Sequence, residues 1–322
     1  MKKLLLTLTF LLYGLFANAQ TLTIPNANFK AKLLEASPSN TKAKNLSDTY
    51  FKIDANNDGE IQQSEALQVK RLNVNSSNIS SLEGIQYFTN LNLLDCGSNQ
   101  LTSLNVSSNT ALSKLECGNN QLTNLNFSNN TALTYLDCSA NQLTNLNVSN
   151  NSDLNELYCS GNQLTNLNVN NNTALTKFWC NSNQLTSLNV SNNSALIQLA
   201  CGYNQLTSLN VINHNALLYL GCNGNQLTSL NVNGAISLYN LVCYSNLLTS
   251  LDVSSNPALF NLECLYNQLT NLNVNGATAL YYLNCSYNQL TSLDVSSNTA
   301  LTILCCNDNQ LTNLNVNGST AL

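Results

Sequence analysis

Most of the chain repeats one pattern of hydrophobic and polar positions every 21 residues. From residue 91 onward each unit reads L-x-x-L-x-C-x-x-N-Q-L-T-x-L-N-V-x-x-N-x-A, with Leu247 replacing the glutamine once and some variation at the last positions. Alternation around L-x-C directs the leucine and the cysteine to one side and the residue between them to the other, as in a β-strand. The pattern predicts short parallel strands stacked into a solenoid, in which each unit buries its apolar side against its neighbours.

The second half of each unit repeats the scheme of the first half. It reads L-x-x-L-N-V-x-x-N, so half-turns of 10 and 11 residues alternate along the chain. Half-turns of this length leave no room for a long helix on the outer side. The asparagine three residues after each cysteine is expected to turn inward, where its amide can bond to backbone groups of adjacent turns.

Residues 1–19 have the pattern of a secretory signal peptide. Lys2 and Lys3 precede the apolar run Leu4 to Phe16, and the small-x-small site Ala17-Asn18-Ala19 follows. A buried N-terminal helix is the alternative interpretation. A signal peptide predicts a protein that is secreted, extracellular or on the cell surface, and that is not integral to the membrane.

Residues 20–68 differ in composition from the repeats and are predicted to form a cap. Asn26 is positioned to begin a short helix with Phe29, Leu33 and Leu34 at helical spacing. Residues 69–90 contain apolar residues at looser intervals and are interpreted as an irregular transition repeat. Residues 91–322 hold eleven 21-residue repeats. Because Leu322 is the first leucine of a further unit, we expect either that the sequence is a fragment or that more chain follows.

The repeat resembles the leucine-rich repeat family. Its core segment L-x-x-L-x-L-x-x-N-x-L is matched throughout residues 91–322, with cysteine in place of the third leucine, and the unit is similar to a bacterial subclass with 21-residue units. The resemblance implies a β-rich leucine-rich-repeat solenoid with parallel strands, no long outer helices and a small α-helical N-terminal cap. It also implies a role in protein–protein interaction or adhesion.

The cysteines are predicted to be free, buried thiols. Eleven stand at intervals of 21 residues and only Cys305 is out of register; the eleven are Cys96, Cys117, Cys138, Cys159, Cys180, Cys201, Cys222, Cys243, Cys264, Cys285 and Cys306. Neighbouring strands lie about 4.8 Å apart, farther than the roughly 3.8 Å between the Cβ atoms of a relaxed disulfide. A row of thiols also lacks the tetrahedral convergence of a zinc site. Cys305 is expected to face outward and to be the one reactive thiol.

Residues 54–65 match the pattern D-x-[DN]-x-[DN]-G-x5-E and resemble an EF-hand calcium loop. Such a loop would bind Ca²⁺ as a structural cofactor through oxygen ligands at alternate positions. The predicted metal ligands are Asp54, Asn56, Asp58, Glu60 through its carbonyl, Gln62 and Glu65. The alternative is an ordinary Asn/Asp/Gly-rich surface turn. Short flanking helices are expected around residues 48–53 and 65–69, and Ile61 is expected to provide the short apolar pairing of such loops.

Composition and charge exclude several classes of function. Only 8% of the residues are charged and the net charge is −5, or −7 without Lys2 and Lys3, so no basic face is available for nucleic acid. Asparagine occupies 62 positions, mostly in the repeated turns. The chain contains no motif of a known catalytic site, and its one histidine, His214, replaces a repeat asparagine. We therefore predict that the protein is not an enzyme.

The outward strand positions and the places beside them vary between units and carry most of the tyrosines and the only tryptophan. The predicted partner-binding residues are Tyr135, Tyr158, Trp179, Tyr203, Tyr219, Tyr244, Tyr266, Tyr282 and Tyr287. Amphipathic rings supply contact area for a protein or glycan partner. Alternatively, the rings form a ladder that stabilises the strands. Three outward carboxylates, Asp95, Glu116 and Asp137, are expected to form a solvated acidic edge.

Two functions from different classes follow from these observations. The first is a secreted or cell-surface binding or adhesion protein that recognises its partner through the variable strand face. The second is a structural spacer or stalk without a specific ligand, or a non-catalytic part of a larger secreted protein. A glycan-active enzyme would need a catalytic domain outside these residues.

Overall fold

The computed structural model describes residues 20–322, so the predicted signal peptide lies outside the described residues. The chain forms two compact units, one that ends at Leu143 and one that spans Thr144–Leu322. In the first unit the elements are, in chain order, helix α1 (Ala27–Leu34), strand β1 (Ala43–Asn45), helix α2 (Gln63–Ala66), strand β2 (Val69–Asn73), a 3₁₀ helix (Ile85–Tyr87), and strands β3 (Leu93–Asp95), β4 (Lys114–Glu116) and β5 (Tyr135–Asp137).

The first unit joins the cap to the solenoid through a continuous sheet. Strand β1 pairs antiparallel with β2, and β2 to β5 then pair in parallel, each with the next. Helix α1 begins at Asn26, whose Oδ1 accepts the N–H of Phe29 at 2.9 Å, as predicted. Phe29 and Leu33 are fully buried on the inner side of this helix. The cap therefore covers the apolar side of the transition repeat.

The second unit is built from two sets of parallel strands. The main sheet contains β6 (Glu156–Tyr158), β7 (Lys177–Trp179), β8 (Gln198–Ala200), β9 (Tyr219–Gly221), β10 (Asn240–Val242), β12 (Asn261–Glu263), β14 (Tyr282–Asn284) and β16 (Ile303–Cys305). Two smaller sheets lie in the other half of the repeats, where β11 (Ser250–Asp252) pairs with β13 (Asn271–Asn273) and β15 (Ser292–Asp294) with β17 (Asn313–Asn315). The predicted β-solenoid with few helices is confirmed.

The cysteines form part of the core. All twelve are free thiols; the ten from Cys96 to Cys285 are buried, and Cys305 and Cys306 are half-buried. Burial disfavours the thiolate and raises the pKa of Cys201 to about 12. The buried thiols therefore act as small hydrophobic side chains at neutral pH. Cys305 lies at the outward position of β16, in the register expected from the sequence.

The asparagine after each cysteine satisfies backbone groups of two adjacent turns. The Nδ2 atom of Asn183 donates to the carbonyl of Cys159 at 3.0 Å and to that of Cys180 at 3.1 Å. Its Oδ1 accepts the N–H of Leu164 at 3.0 Å. These groups are buried and lose their hydrogen bonds to water on folding. The amide replaces those bonds. The prediction of an inward-turned asparagine is confirmed.

His214 occupies a structural position in the second column of repeat asparagines. In this column Asn172 donates to the carbonyls of Val148 and Asn151 at 3.0 and 2.8 Å. His214 is buried, and its Nε2 lies 3.1 Å from the carbonyl oxygen of Val190. The imidazole thus takes the place of the asparagine amide, in agreement with its predicted role as a turn residue.

The helix expected around residues 48–53 is absent, which corrects the prediction. The Asn45 carboxamide accepts the N–H groups of Ser47 and Thr49 at 3.0 and 3.1 Å, and Asp48 has a positive φ of 59°. These bonds close a tight turn after β1 and leave no helical backbone before the loop. The second expected helix is α2, and it ends at Ala66 because the chain enters β2 at Val69. None of the helices in residues 20–322 has the length and apolar character that a membrane crossing requires.

Replacing Asn183 by alanine is expected to destabilise the fold strongly. The change leaves the buried N–H of Leu164 without its acceptor, which costs about 1–3 kcal/mol. It also removes one of the two amide donors from each of the carbonyls of Cys159 and Cys180, and each lost hydrogen bond adds about 1 kcal/mol. We expect a loss of about 3 kcal/mol or more, measured by urea unfolding followed by circular dichroism. Asn166→Ala is the control, because Asn166 is exposed, and it should change the free energy of unfolding by less than about 0.5 kcal/mol. Equal effects of the two substitutions would contradict this account of the repeat.

Candidate interaction surface and calcium loop

The main-sheet strands of the second unit present their outward side chains in columns. In β6 to β10 the middle residue is buried, while the first and third residues of each strand point away from the core. The third residues in this run are Tyr158, Trp179, Ala200, Gly221 and Val242. Two small residues therefore lie side by side, directly after the only tryptophan of the chain.

The small residues leave a pocket beside Trp179. It has a volume of about 330 Å³ and is lined by Trp179, Asn181, Gln198, Ala200 and Tyr219; we call it the Trp179 pocket. A Cβ atom on Gly221 would lie 2.7 Å from the Tyr219 hydroxyl oxygen, so glycine is what lets the tyrosine lie across strand β9. The pocket therefore has two aromatic walls, an alanine between them and no charged lining residue.

Trp179 is held in place by its neighbours on β6 and β7. Its ring meets Tyr158 edge to face, with ring centroids 5.2 Å apart and an interplanar angle of 85°. The Tyr158 hydroxyl donates to the Glu156 carboxylate at 2.6 Å, and Lys177 Nζ donates to the same carboxylate at 3.1 Å. This chain of contacts orders the tryptophan while leaving 40% of it exposed. An ordered, exposed ring loses little side-chain entropy when a partner binds.

Four of the predicted tyrosines lie in the turn after the strands and form two pairs. The hydroxyl oxygens of Tyr203 and Tyr244 are 2.9 Å apart, and this hydrogen bond, together with burial, raises the pKa of Tyr244 to about 12. Tyr266 and Tyr287 stack with centroids 4.4 Å apart. Tyr203, Tyr266 and Tyr287 have φ values of 54°, 52° and 55°. Left-handed backbone at a bulky residue is unusual, so these three rings are placed by the turn and not by a strand.

The two remaining predicted residues occupy first positions of their strands. Tyr282 lies on β14, with its hydroxyl 3.4 Å from the Nδ2 atom of Asn284. Tyr135 lies on β5 in the first unit, where Lys114 Nζ is 4.0 Å from the centre of its ring. The structure thus brings Trp179 and Tyr219 together in one pocket, and Tyr158 supports Trp179 from the neighbouring strand.

A second set of apolar residues lies beside the strands and was missed by the sequence analysis. At the position after the first leucine of each repeat, five consecutive units carry apolar side chains; this apolar column consists of Ile197, Leu218, Tyr239, Phe260 and Tyr281. The other units have polar residues there: Asn92, Ser113, Thr134, Asn155, Thr176 and Thr302. Leu218 and Tyr239 are 47% and 50% exposed. Comparing this one position between units would have found the column.

The rings of the apolar column stack on one another. Tyr239 and Phe260 are 5.0 Å apart between centroids with an angle of 4°, and Phe260 and Tyr281 are 4.8 Å apart with an angle of 2°. Backbone hydrogen bonds of 2.9 Å join each member to the next along the column. The spacing of neighbouring strands, about 4.8 Å, makes the five-residue column roughly 20 Å long.

The six predicted calcium ligands lie in one compact loop. Asp54, Gln62 and Glu65 are buried, and Asp58 Oδ2 accepts from the Nδ2 of Asn56 and the Nε2 of Gln62, each at 2.8 Å. The pKa of Asp58 is lowered, mainly because its carboxylate accepts a hydrogen bond from the backbone N–H of Glu60 at 2.8 Å. The Glu60 side chain points to Lys30 Nζ, 2.6 Å away, which leaves its carbonyl as the candidate ligand.

The backbone of this loop follows the expected form. Gly59 has a φ of 77°, and the carbonyl of the fully buried Ile61 accepts the N–H of Leu22 at 2.8 Å, so the short pairing is made with the N-terminal segment. Glu65 accepts the N–H groups of Ala55 and Gln62 at 2.7 and 3.0 Å. Within residues 20–322 no three His, Cys, Asp or Glu side chains converge on a common metal position. Calcium binding would require the amides of Asn56 and Gln62 to turn their oxygens inward, and it stays a prediction.

The outward carboxylates of the first unit each have a local partner. Asp95 accepts from Asn75 Nδ2 at 2.8 Å, Glu116 pairs with Lys114 at 2.8 Å, and Asp137 accepts the N–H of Ser139 at 2.9 Å. Lys114 offsets one of the three charges and neutral hydrogen-bond donors stabilise the other two, and the remaining repulsion between exposed carboxylates one strand apart is about 1 kcal/mol per pair in water.

Comparison with solved structures shows the same architecture in bacterial proteins. The functional domain of InlJ from Listeria monocytogenes, described as including a cysteine ladder, is 30% identical over 95% of this chain and 75% of that chain, with a TM-score of 0.68. An internalin (InlF) from the same species is 24% identical over 90% and 88%, with a TM-score of 0.75. A leucine-rich repeat protein of Leptospira interrogans is 23% identical over 78% and 70%, with a TM-score of 0.71. No protein-family model and no curated protein matches the sequence.

Replacing Tyr158 by alanine is expected to loosen Trp179 and to expose more of its ring. Because Trp179 is the only tryptophan, its fluorescence reports on this pocket alone. We expect a shift of the emission to longer wavelength and faster quenching by iodide, with a loss of about 0.5–1.5 kcal/mol from the ring pair. Tyr282→Ala is the matched control and should leave the emission unchanged. Identical spectra for Tyr158→Ala and the native chain would show that the edge-to-face contact does not position the ring.

Proposed function

The chain belongs to the leucine-rich repeat family, and we propose that it is a secreted or cell-surface binding protein. Its binding surface is formed by the Trp179 pocket and the apolar column, and its partner is a protein. The internalin names of similar proteins support an extracellular or surface location and a role in adhesion. The signal-peptide pattern of residues 1–19 supports export.

One observation supports this proposal most strongly. Apolar side chains lie exposed beside strands whose backbone is already paired on both sides. Leu218, Tyr239 and Trp179 are 47%, 50% and 40% exposed, and the core is filled by other apolar side chains. Exposed apolar groups that are contiguous mark interaction sites in soluble proteins. A partner that covers them would remove this area from water, with the aromatic rings as anchors.

The alternative function is a spacer whose rings only stabilise the strands. The parallel stacking of Tyr239, Phe260 and Tyr281 favours it, since cross-strand aromatic contacts contribute to sheet stability. Stacking does not account for Ile197 and Leu218, which continue the column without rings. A spacer also has no need for a pocket with two aromatic walls.

Binding is tested with residues 20–322 displayed as a multivalent probe on arrays of secreted and cell-surface proteins and on a glycan array. We expect capture of a protein, and loss of that capture in Trp179→Ala and in the double variant Leu218→Ser/Tyr239→Ser. Removing an anchor ring typically costs about 2 kcal/mol or more, which is roughly a thirtyfold loss of affinity.

Ile212→Ser is the control for these variants. Ile212 is 41% exposed but follows Val211 in the other half of its repeat, so the proposal predicts unchanged binding. Absence of any ligand, or equal binding by all variants, would favour the spacer. Capture of glycans alone would assign the surface to the other partner class.

We further propose that residues 54–65 bind Ca²⁺ and thereby stabilise the cap. The donor set is suited to a hard cation, because Asp54 and Glu65 are buried carboxylates and Asp58, Asn56 and Gln62 lie within hydrogen-bond distance of one another. The nearest cation to Asp54 is Lys52, with Nζ 3.7 Å from Oδ2. A bound calcium ion would add positive charge where the loop has an excess of negative charge.

Calorimetric titration of residues 20–322 with CaCl₂ tests the calcium proposal. We expect heat of binding at millimolar calcium or below, and a stabilisation of about 2.7 kcal/mol at a hundredfold excess over the dissociation constant. Asp58→Asn and Glu65→Gln should weaken the binding strongly. Glu60→Gln should not, because only its carbonyl is an expected ligand. No heat with the native chain, or equal loss in Glu60→Gln, would reject the site.

A further inference from the structure

A pocket in the cap gathers an unusual share of the positive charge of the chain. Its volume is about 200 Å³, and it is lined by Thr41, Lys42, Lys44, Tyr50, Arg71, Leu72, Asn73 and Leu93. Without Lys2 and Lys3 the chain has nine basic residues, and three of them line this one pocket. None of the lining residues is acidic. We call it the cationic pocket.

The backbone holds two of these cations against each other. Lys44 on β1 lies directly opposite Arg71 on the antiparallel strand β2. Like charges in this register destabilise a sheet. Lys42, the third cation, immediately precedes β1, and its carbonyl accepts the N–H of Asn73 at 2.7 Å. The hairpin therefore fixes three positive side chains at the rim of one small volume.

Nearby carboxylates neutralise these charges only in part. Asp48 is shared between Lys70 and the Nε of Arg71, which is 2.9 Å away. The Oε2 atom of Glu35 lies 2.7 Å from Lys32 Nζ, and Lys42 Nζ is farther away, at 3.9 Å. Only two carboxylates, Asp48 and Glu35, thus offset the charge of five cations, which are Lys32, Lys42, Lys44, Lys70 and Arg71.

Donors for a ligand are available on the lining side chains. In the part of the chain that the structure describes, the two Nη atoms of Arg71 and the Nζ of Lys44 make no hydrogen bond. Lys44 Nζ instead lies 4.8 Å from the centre of the Tyr50 ring. A guanidinium presents two parallel N–H groups that match the oxygens of a carboxylate or sulfate, and a lysine adds a point charge. These groups therefore suit an oxyanion.

The size and the walls of the pocket indicate what carries the oxyanion. Its volume corresponds to about seven water molecules, which is more than an inorganic sulfate alone would fill. Tyr50, 39% exposed, and Leu93 form an apolar wall next to the cations, against which the C–H groups of a ring can pack. We propose that the cationic pocket binds an acidic sugar, with the carboxylate of a uronic acid on Arg71 and Lys44 and its ring beside Tyr50. This site lies in residues 20–143 and does not depend on partner binding by the Trp179 pocket or the apolar column.

The test is a calorimetric titration of residues 20–322 with four probes: glucuronate, glucose, inorganic sulfate and a polyglutamate peptide. We expect glucuronate to bind more tightly than sulfate, and glucose not to bind. The affinity for glucuronate should fall about tenfold or more in Lys44→Gln and in Arg71→Gln, and also when about 0.5 M NaCl shortens the screening length.

Lys177→Gln is the charge-matched control, because Lys177 pairs with Glu156 outside the cap, and it should bind glucuronate like the native chain. Circular dichroism of each variant checks that the hairpin is folded, and Tyr50→Leu tests the ring contact without changing the charge. Tighter binding of polyglutamate than of glucuronate would reassign the pocket to an acidic peptide. Equal binding of sulfate and glucuronate, no binding by the native chain, or equal affinity in Lys44→Gln and Lys177→Gln would overturn the proposal.

Discussion

The buried carboxamide after each cysteine is the interaction on which the whole solenoid depends. Asn183 bonds to the carbonyls of Cys159 and Cys180 and to the N–H of Leu164, so one side chain closes its own turn and joins it to the preceding one. Strands of three residues pair few backbone groups, and the turns between them would otherwise bury unpaired carbonyls. The amide has to meet the same groups in every unit. The regular units make these bonds at a constant interval of 21 residues. In the transition repeat the strands are 22 residues apart, and Asn99 still bonds to Val74 and Ile79, so the loop takes up the extra residue and the amide keeps its place.

The same constraint separates the positions that hold the fold from those that are free to vary. Leucine, cysteine and asparagine occupy the inward positions, where burial keeps the thiols from Cys96 to Cys285 away from solvent and raises the pKa of Cys201 to about 12. The outward residues do not fill the core, so Ala200 or Gly221 can stand where another unit has an aromatic residue without leaving a void inside the solenoid. The Trp179 pocket exists because two adjacent units carry small residues at such a position. The residues that can give this scaffold a function are therefore the outward ones that differ between units.

The periodic features could be predicted from the sequence because each has a local physical cause. The cap of α1 by Asn26 follows from the acceptor that precedes the helical spacing. The pairing of Ile61 follows from its place in the loop, although its partner, Leu22, is distant in sequence and could not be foreseen. The expected helix at residues 48–53 was wrong because the Asn45 side chain competes for the backbone N–H groups of the turn. The outward direction of the strand residues follows from the alternation in the sequence. Tyr203 was predicted on or beside the strand face and lies beside it, but its left-handed backbone could not be foreseen.

The apolar column separates a structural from a binding interpretation of the exposed aromatic residues. Ring stacking between Tyr239, Phe260 and Tyr281 satisfies the faces of the rings, and that part of the column is explained by strand stability alone. Leu218 and Ile197 gain no stacking energy, and Leu218 keeps 47% of its surface in water. A serine or threonine, as in most other units, would serve the strand equally well and would not expose apolar surface. The persistence of apolar side chains beyond the end of the ring stack, toward the Trp179 pocket, is therefore better explained by a surface that a partner covers.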